Sequence, residues 1–299
     1  MRIFAVILLL AGAARAGGND LQLWRLGHPD AMPCTICDGS AGDPAQPGVP
    51  GAQAHFHRMA STLGLAFIPA FQEPAATTGQ AGFEVGIGSN QAFLHLGADT
   101  WPSVNPPPSV LVMPAVTVRK GLGGSFELGA AVQWLTDSEI MAISGELRWA
   151  VTEGLTSGPD VALRVWGTRV VGAQDLDLAS AGADALVSKS FGVGGMMKVQ
   201  PYGSFGLAMV NAFSAAIDFK PTAEDQARPG IDDQVFHPIT LFNNRYWRAV
   251  AGARMVVGSV VAGIEGSVSW GTNEIQDGVS AGSNFVRLWS LAGRFGATF

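Results

Sequence analysis

The stretch 287–299, RLWSLAGRFGATF, carries one residue pattern undiminished to its last position. Read backwards by twos, Phe299, Ala297, Phe295, Gly293, Leu291 and Trp289 are apolar or small. The intervening Thr298, Gly296, Arg294, Ala292 and Ser290 hold the polar groups. A period of two belongs to a strand with one oily and one polar face. Chain ends ordinarily fray, so this one is expected to be held in a sheet.

The same alternation recurs toward the N-terminus. In SFELGAAVQW (125–134), Phe126, Leu128, Ala130, Val132 and Trp134 oppose Ser125, Glu127, Gly129, Ala131 and Gln133. MAISGELRWA (141–150) and VVAGIEGSVSW (260–270) divide in the same way, and further examples lie near Phe83, Val110, Val161 and Met197. About ten strands are expected between Gly82 and Phe299. Charged residues make up only 14% of the 299 positions, apolar ones 47%, and there are 39 glycines, which points to small-residue-rich β structure. A net charge of −6 with a pI near 5.3 offers no basic surface for nucleic acid.

The first residues, MRIFAVILLLAGAARAGG, pair one Arg with an apolar run and with Ala14 and Ala16 at the spacing of a small-residue cleavage site. Residues 1–16 are therefore read as a signal peptide. The run is too short to span a bilayer, and no later stretch supplies about 18 apolar residues in succession. Export without a spanning helix leaves a secreted β protein or a closed membrane barrel, because in lipid only helices and closed barrels satisfy every backbone group.

Three features separate these two. Charges on the extended oily faces, namely Arg169, Asp177, Lys189, Arg245 and Arg287, all fall at strand ends, where lipid penalises them least. The long connections, 89–108, 217–244 and 271–284, all fall on one side of a ten-strand meander, as external loops should. Trp134, Trp247, Trp270 and Trp289 lie near outer strand ends and Trp149 near an inner one, the arrangement of aromatic girdles. Pro114 and Pro201 sit within expected strands, where each removes a ladder hydrogen bond.

These features together resemble a Gram-negative outer-membrane β-barrel. The resemblance implies an all-β, antiparallel up-and-down barrel over residues 80–299, of about ten strands with eight to twelve admissible. It further implies assembly into outer-membrane lipid by the barrel assembly machinery, with the terminal aromatic Phe299 as the signal that machinery reads. Residues 17–79 are expected to form a flexible N-terminal segment, periplasmic or acting as a plug. Within it, AHFHRMASTLGLAF (54–67) reads as a short helix or plug segment through Phe56, Met59, Leu63 and Phe67, against a strand reading through Leu63, Leu65 and Phe67, and 56–72 is the candidate plug.

The inward-facing set is charged. Glu84, Glu127, Glu146, Asp184 and Glu265 face Arg119, Arg148, Arg164, Lys198, Arg248, Arg254 and Arg294. These groups must largely pair. They either interlock and fill the barrel or line a narrow pore for small polar solutes or ions. A narrow pore or small-solute transport protein is the leading expectation, with a closed barrel acting through its outer loops as the alternative and an outer-membrane hydrolase third.

No catalytic residues, metal site or cofactor are assigned. His55 and His57 have no Cys or carboxylate close by in sequence, and His237 near Asp232 and Asp233 shows no recognisable base–nucleophile spacing. Cys34 and Cys37 form a C-x-x-C that lacks the His of a haem motif and the βαβ context of a redox motif, so a local disulfide is expected.

Overall fold

The computed structural model describes residues 17–27, 51–70, 74–97, 100–103, 106–155, 158–218, 233–277 and 280–299. The expected signal peptide, Cys34 and Cys37, and Asp232 lie outside them. Ten strands form the wall: β1 (Phe83–Phe93), β2 (Val110–Gly121), β3 (Phe126–Trp134), β4 (Met141–Thr152), β5 (Asp160–Val171), β6 (Leu176–Ser188), β7 (Met197–Ser214), β8 (Asn244–Val257), β9 (Val260–Asp277) and β10 (Ser280–Thr298). Each pairs antiparallel with its sequence neighbour, and β10 closes on β1 through Glu84↔Thr298 to Phe93↔Trp289. A closed antiparallel meander leaves no open edge along the paired wall. A three-residue strand, Phe191–Val193, adds to the foot of β7, and Ile217–Asp218 pairs with Asp233–Gln234 beyond the wall.

Both prolines sit where a ladder lapses. The β2–β3 register stops at Ala115↔Gln133, next to Pro114, and resumes with Thr136 N–H donating to Val112 C=O at 3.0 Å. The β6–β7 ladder stops at Ser188↔Tyr202, next to Pro201. The missing N–H groups thus cost the wall little.

The short connections at 122–125, 153–159, 189–196 and 258–259 share one end with Phe299, which makes that end the inner, periplasmic one. The opposite end carries the long connections 94–109 and 215–243. The expected third long loop, 271–284, is instead mostly ladder. β9 and β10 stay paired out to Asp277↔Ser280, their backbone ladder running on past Trp270 and Trp289.

The wall is oily outside and polar inside, the reverse of a soluble barrel. Ile87, Phe295 and Ile264 are 64, 68 and 58% exposed, and Leu163, Val165, Ile143 and Phe205 are about half exposed. A soluble monomer does not present apolar surface on this scale. No helix among the described residues is long and apolar enough to cross a membrane. The strands make the crossing.

Helix α1 (Ala52–Ala66) lies inside the barrel rather than in a strand. Phe56, Met59, Leu63 and, just beyond it, Phe67 recur at helical spacing, and all are fully buried. They meet Leu111, Met113, Ala142, Leu178, Val210 and Leu288 from the outer half of the wall. Gly64 approaches Val210 so closely that a Cβ would lie 2.8 Å from its methyl. Past α1 the chain descends through the lumen. Asn90 Nδ2 donates to Ala66 C=O at 3.1 Å and Gln133 Nε2 to Phe67 C=O at 3.2 Å, and near the inner end Ala75 N–H donates to Ser188 Oγ at 2.9 Å.

Residues 17–27 lie at the outer end and not at the periplasmic mouth. Asn19 N–H donates to Asp137 C=O at 3.0 Å, Asp20 accepts from Ser138 Oγ at 2.6 Å and from Glu139 N–H at 2.8 Å, and Leu21 bridges to Ser103. Leu23, Leu26 and Trp101 are buried there. The described pieces before β1 thus begin at the outer end and pass through the barrel to reach the foot of β1.

Candidate functional site

The inner half of the lumen holds a girdle of charged side chains, placed by inward positions on nine of the ten strands, all but β7. Arg164 on β5 is its centre. Its Nε and terminal nitrogen reach Glu146 Oε2 at 2.7 Å, and its other terminal nitrogen reaches Asp184 Oδ2 at 3.1 Å. Arg148 lies 3.3 Å from Glu127 and 3.7 Å from Glu146, while Arg119 lies 3.3 Å from Glu146. Across the barrel, Glu84 takes both Arg254 and Arg294, and Arg248 stands 3.6 Å from Glu265. Trp166 Nε1 donates to Asp184 at 2.9 Å and the Tyr202 hydroxyl to Glu265 at 3.0 Å.

The girdle also grips the threaded chain. Arg148 donates to Pro74 C=O at 3.0 Å and Arg164 to Pro69 C=O at 3.2 Å, and Thr78 N–H donates to Glu127 at 2.9 Å. Guanidinium groups suit this task, since each carries five donors in a fixed fork and can hold carboxylates and a carbonyl together. Above the girdle, α1 is fixed by Tyr246 hydroxyl donating to Ser61 Oγ at 2.8 Å and by Asn273 Nδ2, 2.9 Å from the same oxygen.

Inward glycines make room for these long side chains. A Cβ on Gly206 would sit 2.3 Å from both Asp184 Oδ1 and Ala183 C=O, and one on Gly129 would sit 2.5 Å from Glu146. On the outward face, Gly145 has open space. Gly206→Ala is therefore expected to destabilise the barrel by about 1–3 kcal/mol, as overpacking does, and Gly145→Ala to leave it unchanged. Urea unfolding in lipid vesicles checks the contrast.

Twelve residues were read from sequence as facing the interior, and eleven of them fall within the girdle: Glu84, Arg119, Glu127, Glu146, Arg148, Arg164, Asp184, Arg248, Arg254, Glu265 and Arg294. Lys198 does not join them. It is exposed at the foot of β7, where the wall ends and water competes for the ammonium. Trp166 and Tyr202, absent from that reading, are buried members of the network. Their signal was an aromatic on the inward register of a strand.

Of the aromatic candidates, Trp134, Trp149, Trp247 and Trp289 are 39–47% exposed on the outside. Trp270 is half-buried beside Phe205, whose ring stacks on Trp247 at 5.3 Å. His55 and His57 sit on α1. His57 is buried with Nε2 3.1 Å from His237 C=O, and His237 is exposed. Among the described residues no three His, Cys, Asp or Glu converge as a metal site.

Glu153, in an inner turn, anchors the end of the threaded chain. Thr77 donates to it through N–H and hydroxyl, both at 2.9 Å. Partial burial pushes its pKa up, but the hydrogen bonds from Thr77 and Ser125 outweigh burial and hold the carboxyl below the ordinary range. A depressed folded pKa contributes stability above the unfolded value of about 4.3, and that contribution is lost as pH falls through the folded pKa. Hydrogen exchange at the Thr77 amide should accelerate over that acid window, and Glu153→Gln should remove the pH dependence.

The closed, even-numbered antiparallel wall, its oily exterior with aromatics toward the rims, and its polar interior settle the class. The molecule is an outer-membrane β-barrel. No protein-family model and no curated protein matches the chain. Solved structures with which it aligns include the N-terminal β-barrel domain of Pseudomonas aeruginosa OprF, at 13% identity and a TM-score of 0.31 over 74% of this chain and 99% of that one. The outer membrane protein OprG from Pseudomonas aeruginosa aligns at 9% identity and 0.31 over 76% and 99%. The outer membrane protease OmpT from Escherichia coli aligns at 8% identity and 0.36 over 76% and 99%. At these scores the likenesses bear no weight here. The assignment stands on the barrel's own surface.

Proposed function

We propose that this barrel is closed in its resting state and works through the surface it displays at its outer end, and that it is not an open pore. One observation carries the reading: α1 and the chain after it occupy the lumen, with Phe56, Met59, Leu63 and Phe67 fully buried against the wall. Burying each such side chain favours the seated state by about 1.5–3 kcal/mol. The girdle supports the same reading, since its charges are spent on one another and on the carbonyls of Pro69 and Pro74. The outer end offers what such a barrel would display: the connections 94–109 and 215–243, tied to α1 by Gln53, which exchanges two hydrogen bonds with the His237 backbone at 2.9 and 3.0 Å.

Charge reversal at Arg254 tests the reading. A solute pathway through the girdle would change ion selectivity in Arg254→Glu. The closed barrel instead loses stability, because Glu84 is left facing a second carboxylate, and its membrane conductance stays at the lipid background. A selective current altered by the substitution would overturn the proposal.

A further inference from the structure

β1 and β10 part company at the outer rim. Their ladder ends at Phe93↔Trp289, after which Leu94 N–H turns to Ser109 C=O while β10 runs on outward to Ser280. Over that outer stretch β10 is paired with β9 but has no strand on its other side, and α1 stands in the gap. Asn284 Nδ2 donates to Ala54 C=O at 2.8 Å. Ala54, Arg58 and Thr62, four residues apart, form one stripe of α1 facing the notch. This explains an oddity of the helix: Arg58 is exposed although the body of α1 lies in the lumen.

The notch is a cavity of about 310 Å³ lined by Arg58, Thr62, His95, Arg287, Phe285 and Trp289, among others. Its charges behave unlike those of the girdle. Each girdle Arg has a carboxylate partner. Among the described residues, the Arg58 and His95 side chains make no ion pair or hydrogen bond, and Arg287 makes no ion pair but lies over a ring, its guanidinium 4.9 Å from the Trp289 centroid. No carboxylate is among the described residues lining the notch. Two guanidinium groups and an imidazole, without a carboxylate partner among the described residues, therefore converge on one lateral opening.

Its height identifies the occupant. Trp289 and Phe93 lie in the outer aromatic girdle, level with the lipid headgroups, and Arg287 is one register step further out on the same face of β10. The opening thus meets the bilayer where apolar chain gives way to phosphate. Arg is well matched to phosphate because its planar fork binds two oxygens at once, and Phe285 and Trp289, 58 and 45% exposed, offer apolar surface beside it. We infer that the β1–β10 notch binds an anionic, phosphate-bearing membrane lipid, with Arg58 of the helix and Arg287 of the wall holding the headgroup and the acyl chain lying against the apolar exterior below.

The full chain, reconstituted into nanodiscs, tests this by native mass spectrometry of the lipid that leaves with the protein. Phosphatidylglycerol doped into phosphatidylcholine should be retained in preference to phosphatidylcholine. Arg58→Gln and Arg287→Gln should each lower its occupancy about fivefold, from the roughly 1 kcal/mol that one basic group gains near anionic lipid. Arg169→Gln, on the same exterior but paired with Asp177 at 2.7 Å, should leave it unchanged. Heat-dependent gel mobility confirms that each barrel is folded, and if the helix variant fails that check the wall variant carries the test alone. Equal retention of the two lipids, or undiminished retention in a folded Arg287→Gln barrel, would overturn the inference. Binding of inorganic phosphate at the notch in phosphatidylcholine nanodiscs, with no preference for phosphatidylglycerol in the doped ones, would also overturn it, by showing a site for the free ion.

Discussion

Arg164→Ala should destabilise the barrel by about 3–5 kcal/mol, the cost of removing one partner from a buried ion pair. The residue is 1% exposed and holds Glu146, Asp184 and Pro69 C=O. Its loss leaves two buried carboxylates short of their main cation. Arg119 and Arg148 remain within 4 Å of Glu146, but Asp184 keeps only Trp166 Nε1 among the contacts described above. Arg169→Ala supplies the comparison: its pair with Asp177 is equally short at 2.7 Å but 59 and 46% exposed, so solvent screening limits its loss to between about 0 and 1 kcal/mol. Urea unfolding midpoints in vesicles, read beside heat-dependent gel mobility, measure both. Near-equal losses would mean that water reaches the girdle.

Phe56→Ala should cost about 3–5 kcal/mol as a buried aromatic truncation, and the damage should be local. Phe56 is fully buried and stacks on Phe236 of the outer connection, with centroids 4.6 Å apart and planes 6° from parallel. The ring is an apolar tie between α1 and the connection 215–243, beside the Gln53–His237 hydrogen bonds. None of the girdle depends on it. The expected outcome is a barrel that keeps its heat-dependent mobility while the outer connection and α1 become open to protease. Wholesale loss of the folded band would show that α1 is needed to hold the wall itself.

The wall was legible in the sequence because lipid imposes period two on every strand: Phe126 to Trp134 on one face and Ser125 to Gln133 on the other give both the strand and its inside. Inward charges were legible for the same reason, since the register that points Glu146, Arg148 and Arg164 inward is the one that turns Leu147, Trp149 and Val165 out. Pairing was not, as it depends on which strands become neighbours and on the glycines that let a side chain lie across them, as Gly129 does for Glu146. The path of the chain before β1 was also out of reach. The stripe Phe56, Met59, Leu63 specifies a helix with one apolar face but says nothing about what covers it, and the inside of a barrel is a surface that exists only once the tenth strand has met the first. The notch escaped for a related reason: Arg58, His95 and Arg287 are far apart in sequence and meet because β1 ends several residues short of β10.

Single-channel recording of the unmodified chain in a planar bilayer, on protein whose barrel is shown to be closed by heat-dependent gel mobility, tests the closed lumen most directly. With α1 and the chain after it seated in the lumen, insertion should produce no steady conductance above the lipid background. Discrete, reproducible and ion-selective steps from the folded chain would contradict the account, and would mean that a path exists past α1 and through the charged girdle.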